Sequence, residues 1–183
     1  MILILTVGFD VKFQLRALVG RAKGLERVAI VGEFKDERAK KALDTIVNFL
    51  NTVNLPYDII EVNVHDFQDI VTKVAKYTLS TAGKNFIVNL SGGMRLLGIG
   101  VLTAFLLTGI DAEIEIETED FITTYKFRAK DLMSLSKPLT KDHIEVLKAI
   151  NEGLNSANSI SKRTGIPTTS VWRRLKELRR EGL

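Results

Sequence analysis

The feature that most constrains this chain is an alternation of short β-branched runs with longer helical patterns over residues 1–120. Five short runs that contain β-branched residues predict strands at 2–7, 27–31, 57–62, 85–89 and 112–117. Apolar residues recur at helical spacing between them and predict helices at 11–22, 36–53, 67–79 and 94–108. This alternation is typical of right-handed βαβ units, so we predict an α/β domain over residues 1–130. Its sheet should be mostly parallel with helices on both faces, and residues 121–127 should add an antiparallel edge strand.

Residues 139–183 follow a different pattern. Thr140 can cap a helix over 141–151, and a second, shorter helical segment then runs to a turn at Gly165. A further helix follows this turn, which is the arrangement of a helix-turn-helix. We therefore predict a small all-α helix-turn-helix domain over 139–183, joined to the first domain by a link over 129–138.

Basic residues are concentrated in this tail. From residue 137 to 183 there are ten Lys or Arg against five Asp or Glu, whereas the whole chain carries a net charge of only +4. The net charge of this tail is therefore +5, and that of the first 136 residues is −1. A local surplus of this kind favours a polyanionic partner such as duplex DNA, although a solvated helix face would show it too.

The last predicted helix has an apolar and a polar face. Val171, Leu175 and Leu178 follow helical spacing and should pack inward, with Trp172 on the flank as a further packing residue. The first turns of a recognition helix meet base edges, and here they carry hydroxyl and guanidinium groups. We predict that the DNA-binding residues are Thr168, Thr169, Ser170, Arg173 and Arg174. A three-helix module that binds a protein is the alternative.

Two glycine-containing loops follow the first and fourth predicted strands. In a sheet ordered 3-2-1-4-5 these strands are neighbours, and their helices leave on opposite faces and open a ligand crevice. Glycines allow a ligand to approach the backbone, and the free N–H groups of the next helix attract anions. We predict that the ligand-binding residues are Gly8, Phe9, Asp10, Asn89, Ser91, Gly92, Gly93, Met94 and Arg95. A plain turn at 91–93 and a helix cap at Asp10 are the alternatives.

Composition excludes several other classes of site. The chain has no cysteine, which excludes disulfides and thiolate metal sites, and its two histidines, His65 and His143, lie far apart, so no metal site is expected. The apolar segment 96–110 is shorter than the roughly 20 residues that span a bilayer. We expect no membrane association and a cytoplasmic location. The segment should form a buried helix that also contributes to a homodimer interface.

The loop Gly8-Phe9-Asp10, the segment Asn89-Leu90-Ser91-Gly92-Gly93-Met94-Arg95 and the tail from Thr140 onward carry a family resemblance. Together they resemble the CRISPR-associated Rossmann-fold (CARF) transcription regulators with a C-terminal winged helix-turn-helix, of the kind associated with archaeal type I-A systems. The resemblance covers nearly the whole chain. It implies a Rossmann-like sensor domain, a homodimer, and control of CRISPR-associated antiviral defence genes.

The resemblance also implies a regulatory ligand. This would be a cyclic oligoadenylate, with cyclic tetra-adenylate as the expected ring, held across the dimer axis by the two glycine-containing loops. No cofactor other than this nucleotide is expected. The chain ends at Leu183, where a winged domain would begin its β-hairpin, so we expect the wing to be absent from this chain.

Two rival functions stay open at this point. Some proteins that resemble this sensor domain cleave their own cyclic ligand through attack by a ribose 2′-hydroxyl, which needs positioning and charge that Ser91 and Arg95 would supply. The neighbouring sequence offers no general base for such a ring nuclease. The other rival is a ligand-binding scaffold whose tail binds a protein. We predict a non-enzymatic, ligand-responsive DNA-binding protein.

Overall fold

A computed structural model of the chain describes residues 1–135 and 139–180. The chain divides into two compact units, and the division falls between Lys130 and Asp131. None of the helices in these described ranges has both the length and the apolar character needed to span a bilayer.

The first unit is built on a six-stranded sheet. Five strands are parallel, and the sixth pairs antiparallel with the fifth at one edge. The strand order is β3-β2-β1-β4-β5-β6, which confirms the predicted Rossmann-like topology with its antiparallel edge strand. The strands are β1 (Ile2–Thr6), β2 (Arg27–Gly32), β3 (Tyr57–Glu61), β4 (Phe86–Asn89), β5 (Ala112–Glu117) and β6 (Thr124–Arg128).

Four helices cover the two faces of this sheet. They are α1 (Lys12–Val19), α2 (Glu37–Thr52), α3 (Phe67–Ser80) and α4 (Arg95–Thr108). The chain moves outward from β1 to β3, so right-handed crossovers place α1 and α2 on one face, where they share a core with Leu3 and Leu5. The chain then returns across the sheet to β4, so α3 and α4 pack together on the other face. The first and fourth helices therefore leave the sheet on opposite sides.

Helix α4 is buried along one side only. Leu97, Val101 and Phe105 face the core, whereas Leu96, Ile99 and Leu107 are exposed, so a single chain buries only one side of the helix and leaves an apolar side for the predicted dimer interface. At Gly100 this helix packs closely on α3, because an added methyl group would lie 2.6 Å from Cγ2 of Ile70. At Gly98 the nearest atom would be 3.9 Å away, so that glycine serves no close contact.

Helix α5 (Ala129–Leu135) occupies most of the predicted link. The prediction of a link over 129–138 did not include a helix, and the helix forms here because Ala, Lys, Leu and Met all favour it. Ala129 is buried, and it begins the helix directly after β6. The rest of the predicted link, 136–138, lies outside the described residues.

The described residues of the second unit form three further helices, α6 (Lys141–Asn151), α7 (Ala157–Thr164) and α8 (Thr168–Arg180). As predicted, Thr140 caps α6, and its side chain forms a reciprocal capping box with His143. Gly165 ends α7 in the left-handed conformation, with φ of +73°, and so makes the tight turn into α8. Val171, Leu178 and Ile160 form the core between the helices, with Leu175 packed against it, as predicted.

Candidate functional site

The loop after β1 and the loop after β4 pack directly on each other. A methyl group added to Gly8 would lie 2.9 Å from Cα of Gly93. Gly93 itself has φ of +81°, a conformation that side chains other than glycine rarely adopt. The hydroxyl of Thr6 donates to the carbonyl of Gly92 at 2.6 Å and ties the second loop to the first strand. These glycines are therefore required by loop–loop packing before any ligand is considered.

A buried glutamine supports the same loops from below. Gln14 on α1 is fully buried, and its Nε2 donates to the carbonyl of Thr6 at 2.5 Å. A methyl group on Gly92 would lie only 1.7 Å from that nitrogen, so no larger residue fits there while Gln14 keeps its position. Sequence reasoning missed Thr6 and Gln14, because nothing in the pattern of either element marks a polar residue turned into the core.

The two loops form one wall of a cavity of about 610 Å³ at the carboxyl ends of the strands. Seven of the nine predicted ligand-binding residues line it, namely Gly8, Phe9, Asp10, Ser91, Gly92, Gly93 and Met94. Asn89 does not, because its side chain is buried and accepts from the backbone N–H of Ser91 at 3.1 Å, which shapes the loop. Arg95 is the exposed first residue of α4 and lies outside the cavity lining.

The remaining walls come from residues that sequence reasoning did not select. They are Val7, Phe13, Glu33, Asp36, Ala39, Val64, His65, Leu90, Ile116, Glu117 and Glu119. Most of them lie at or just after the carboxyl ends of β2, β3 and β5, and these ends meet at the same edge of a parallel sheet as the two glycine loops. That position just after a strand was the signal that could have identified them.

The lining of the cavity is acidic. Five carboxylates line it, at Asp10, Glu33, Asp36, Glu117 and Glu119, and the lining residues include no lysine or arginine. A hydrogen bond from the backbone N–H of Lys12 lowers the pKa of Asp10, and one from that of Arg38 lowers the pKa of Asp36. Both carboxylates are therefore ionised at neutral pH. Oδ1 of Asp10 accepts from the backbone N–H of Lys12 at 3.0 Å, but the N-cap of α1 is Val11 and no side chain caps it, so a helix cap at Asp10, the predicted alternative to a ligand contact, is not confirmed.

Ser91 links the cavity to the sheet. Its Oγ accepts a hydrogen bond from the backbone N–H of Glu117 at 2.8 Å, so the hydroxyl hydrogen can be donated elsewhere. The Glu117 side chain in turn pairs with Arg16 of α1 at 2.7 Å.

The cavity also contains His65 and several carboxylates. Groups able to act as a general base therefore line the same space as Ser91, contrary to the expectation from the sequence. Among the described residues, no group of three or more His, Asp or Glu side chains is placed to hold a metal ion.

The predicted DNA-binding residues of α8 divide into two groups. Thr169 and Arg173 are exposed, and Thr168 and Ser170 are half-buried in the first turn of the helix. The side chain of Arg174 is only 18% exposed and donates to Glu177 at 2.8 Å and to Asp142 of α6 at 3.2 Å. Its predicted place on the exposed face is therefore wrong, because at 100° per residue it falls on the flank that meets α6.

These contacts form a small charged network between α6 and α8. The hydrogen bonds to Glu177 and then Asp142 raise the pKa of Arg174, and those from Arg174 and then His143 lower the pKa of Glu177. His143 Nε2 lies 2.9 Å from Oε2 of Glu177. The network holds two helices of the second unit together, so Arg174 has a structural role.

Trp172 was predicted to be a packing residue, but it is 57% exposed.

Comparison with known families gives two matches. Residues 1–128 match the family described as Csa3 CRISPR-associated Rossmann-like domain. Residues 143–183 match a family described as winged helix-turn-helix DNA-binding. No curated protein matches the chain in sequence.

Several solved structures share the fold. Can2 from Sulfobacillus thermosulfidooxidans, in complex with cyclic tetra-adenylate, matches 83% of this chain and 47% of its own at 14% identity and a TM-score of 0.55. Protein VC1899 from Vibrio cholerae matches 99% and 58% at 11% identity and 0.57. Csm6 from Enterococcus italicus, bound to cyclic hexa-2′-fluoro-hexa-dAMP, matches 97% and 54% at 13% identity and 0.50. The chain therefore spans about half the length of these structures.

Proposed function

Because the chain belongs to the family of Csa3 CRISPR-associated Rossmann-like domains, we propose that it is a CRISPR-associated transcription regulator controlled by a cyclic oligoadenylate. Cyclic tetra-adenylate is the proposed ligand of the first unit, and duplex DNA is the proposed partner of the second. The observation that carries this proposal is a cavity at the switch point between β1 and β4 in a chain that also carries a helix-turn-helix. The cyclic tetra-adenylate bound to the related fold of Can2 supports the choice of ring.

The charge of the cavity determines how such a ligand would lie. Phosphates placed against the five carboxylates would be repelled, and a cyclic tetra-adenylate carries four phosphates. The phosphates should therefore face the backbone N–H groups around Gly93, the first turn of α4 and the guanidinium of Arg95. The adenines would then extend into the cavity, where carboxylates accept hydrogen bonds from amino groups.

The ligand also favours a homodimer. A cavity of about 610 Å³ is in the range that holds one drug-sized molecule, and a ring of four nucleotides exceeds it. The exposed apolar side chains of α4, Leu96, Ile99 and Leu107, begin next to the glycine loop. Two copies that bury this face against each other would bring both loops to one two-fold axis, where a symmetric ring fits. We therefore propose that the dimer forms through α4.

DNA binding is proposed for the exposed face of α8. Three basic residues of this helix, Arg173, Lys176 and Arg179, are exposed. Within the described residues none of them forms an ion pair. Unpaired cations on one helix face attract the phosphate backbone, and binding of this kind weakens as salt rises. Thr169 and Arg173 remain the proposed base-contacting or phosphate-contacting residues of the first turns.

Titration calorimetry tests the ligand, and fluorescence anisotropy with a labelled duplex at several salt concentrations tests the DNA. Each affinity is then measured again with the other partner saturating. A regulator should show a coupling of about 1–3 kcal/mol, or about 5- to 150-fold, equal in both directions. Equal affinities with and without the second partner would contradict ligand control. Absence of cyclic tetra-adenylate binding would contradict the sensor assignment.

Cleavage of the ligand is the second candidate function. It is favoured by one observation, namely that Ser91, His65 and Glu117 line the same cavity. A ribose 2′-hydroxyl of the ligand would attack the adjacent phosphate while His65 or Glu117 took its proton, and the bond from phosphorus to the 5′-oxygen of the next nucleotide would break, which leaves a linear adenylate ending in a 2′,3′-cyclic phosphate and a free, protonated 5′-hydroxyl. Mass spectrometry of the ligand after incubation separates the two candidates. An intact ring supports the regulator, and linear adenylates would support the nuclease.

A further inference from the structure

Trp172 occupies a position that the proposed function does not explain. It is the only tryptophan in the chain, and it is 57% exposed, whereas Val171 and Leu178 of the same helix are buried. An aromatic ring of this size carries a large apolar surface and a polar N–H, so its exposed part is available to a partner whose chemistry the neighbouring side chains indicate. The helix has therefore placed its largest apolar side chain away from its own core.

The stripe of α8 that contains Trp172 points to its partner. Thr169, Trp172, Arg173 and Lys176 follow the i, i+3, i+4, i+7 spacing and share one face. Side chains in a helix lean toward its N-terminus, so the indole covers the turn before its own Cα. In a helix-turn-helix that N-terminal half of the second helix enters the major groove. If α8 binds DNA as proposed above, this ring faces the base edges.

The charge around the ring selects between kinds of partner. Arg173, Lys176 and Arg179 are exposed beside it, and within the described ranges no ion pair neutralises them. Arg174, by contrast, is paired with Glu177 and Asp142 on the flank. An apolar ring surrounded by unpaired cations suits a surface that combines negative charge with apolar groups. The major groove of DNA does so, because phosphates border it and thymine exposes a methyl group within it.

We propose that Trp172 is a specificity-determining residue that packs its indole against the C5-methyl group of a thymine in the major groove. The inference rests on the proposed DNA binding of α8 and adds to it a preferred base and the side chain that reads it. Arg173 and Lys176 hold the helix on the phosphates, whereas Trp172 selects the position along the groove. Its side chain is exposed, so its replacement leaves the core of the second unit intact.

Fluorescence of the full chain provides the first test, because all tryptophan emission comes from this one residue. The probe is a duplex selected from a randomised library by the wild-type protein. Saturation with this duplex should shift the emission and shield Trp172 from acrylamide quenching. Arg173→Ala is the matched control, since it should need more DNA for saturation but reach the same shielding.

Base substitution provides the second test. Each thymine of the selected duplex is replaced in turn by deoxyuridine, which lacks only the methyl group. Loss of one buried methyl group should weaken wild-type binding about fourfold at one thymine of each half-site. Trp172→Ala should bind the thymine and deoxyuridine duplexes equally, and Trp172→Phe should keep part of the preference. Thermal melting of each variant checks that it is folded.

The failures of the two proposals are distinguishable. Salt-dependent DNA binding with unchanged acrylamide quenching of Trp172 would retain the DNA-binding function and overturn the role of this residue. A loss of dimer mass in light scattering for Trp172→Ala, with unchanged discrimination between thymine and deoxyuridine, would also overturn it and would assign the ring to a protein contact. Absence of any duplex binding in anisotropy would remove both.

Discussion

Replacing Ile99 with alanine should weaken self-association by an amount that the structure allows to be calculated. Ile99 is 56% exposed on the apolar side of α4. Full burial of such a side chain is worth about 1.5–3 kcal/mol, and about half of its surface remains to be buried, so the substitution should remove about 1 kcal/mol per copy. A two-fold interface contains the residue twice. The dimer should therefore lose about 2 kcal/mol, which raises its dissociation constant about 30-fold.

Sedimentation equilibrium over a range of concentrations measures this constant. Val19→Ala is the matched control, because Val19 is 71% exposed but lies on α1, which covers the opposite face of the sheet. It should leave the dissociation constant unchanged. A wild-type protein that stays monomeric, or an equal shift in both variants, would refute α4 as the interface. Ile99→Ala should retain the wild-type melting behaviour when measured at a concentration where both proteins are monomeric.

The remaining predictions concern the ligand, the DNA and pH. Arg95→Ala should weaken cyclic tetra-adenylate binding by about 1.5–3 kcal/mol in calorimetry if the guanidinium holds a phosphate, and an unchanged affinity would place the phosphates elsewhere. Arg173→Ala should reduce the salt slope of DNA binding by about one, whereas Arg174→Ala should leave that slope unaltered, and the reverse result would invert the two roles. The pKa of Glu177 lies below its ordinary value of 4.5, because Arg174 and then His143 hydrogen-bond to it. A carboxylate whose pKa is lower in the folded than in the unfolded chain stabilises the fold above pH 4.5. This stabilisation is lost as the pH falls through the lowered pKa of Glu177. The wild type should therefore have a higher melting temperature than Glu177→Gln near neutral pH, and this difference should vanish in acid. A difference in melting temperature that does not depend on pH would exclude an electrostatic origin.

Local patterns determined most of the fold. The alternation of β-branched runs with helical spacing predicted the five parallel strands and the four helices between them, and the edge strand predicted at 121–127 forms at Thr124–Arg128. The right-handed crossover then left few possible strand orders. Helix α1 shows the limit of this reasoning, because it ends at Val19 and a separate short 3₁₀ turn follows over Ala22–Gly24. Periodicity continues through such a break, so the pattern alone predicted one longer helix.

The glycine loops of the candidate site were also visible in the sequence, because glycine at the end of a strand has a backbone consequence that can be recognised locally. The acidic walls were not. Glu33, His65 and Glu119 belong to separate connections, and they share one cavity only because parallel strands bring their carboxyl ends to the same edge. Their chemistry as a group exists only after folding.

The two sides of α8 show the same division between sequence and structure. The chain itself determined that this helix is amphipathic and basic, because its spacing and composition are local properties. Only the tertiary structure decided that Arg174 is neutralised and Trp172 is left exposed. Arg174 meets Asp142, a residue 32 positions away that packing of α6 against α8 brings within 3.2 Å. A sequence pattern orders residues along one helix, but which flank is covered depends on where a distant helix packs against it.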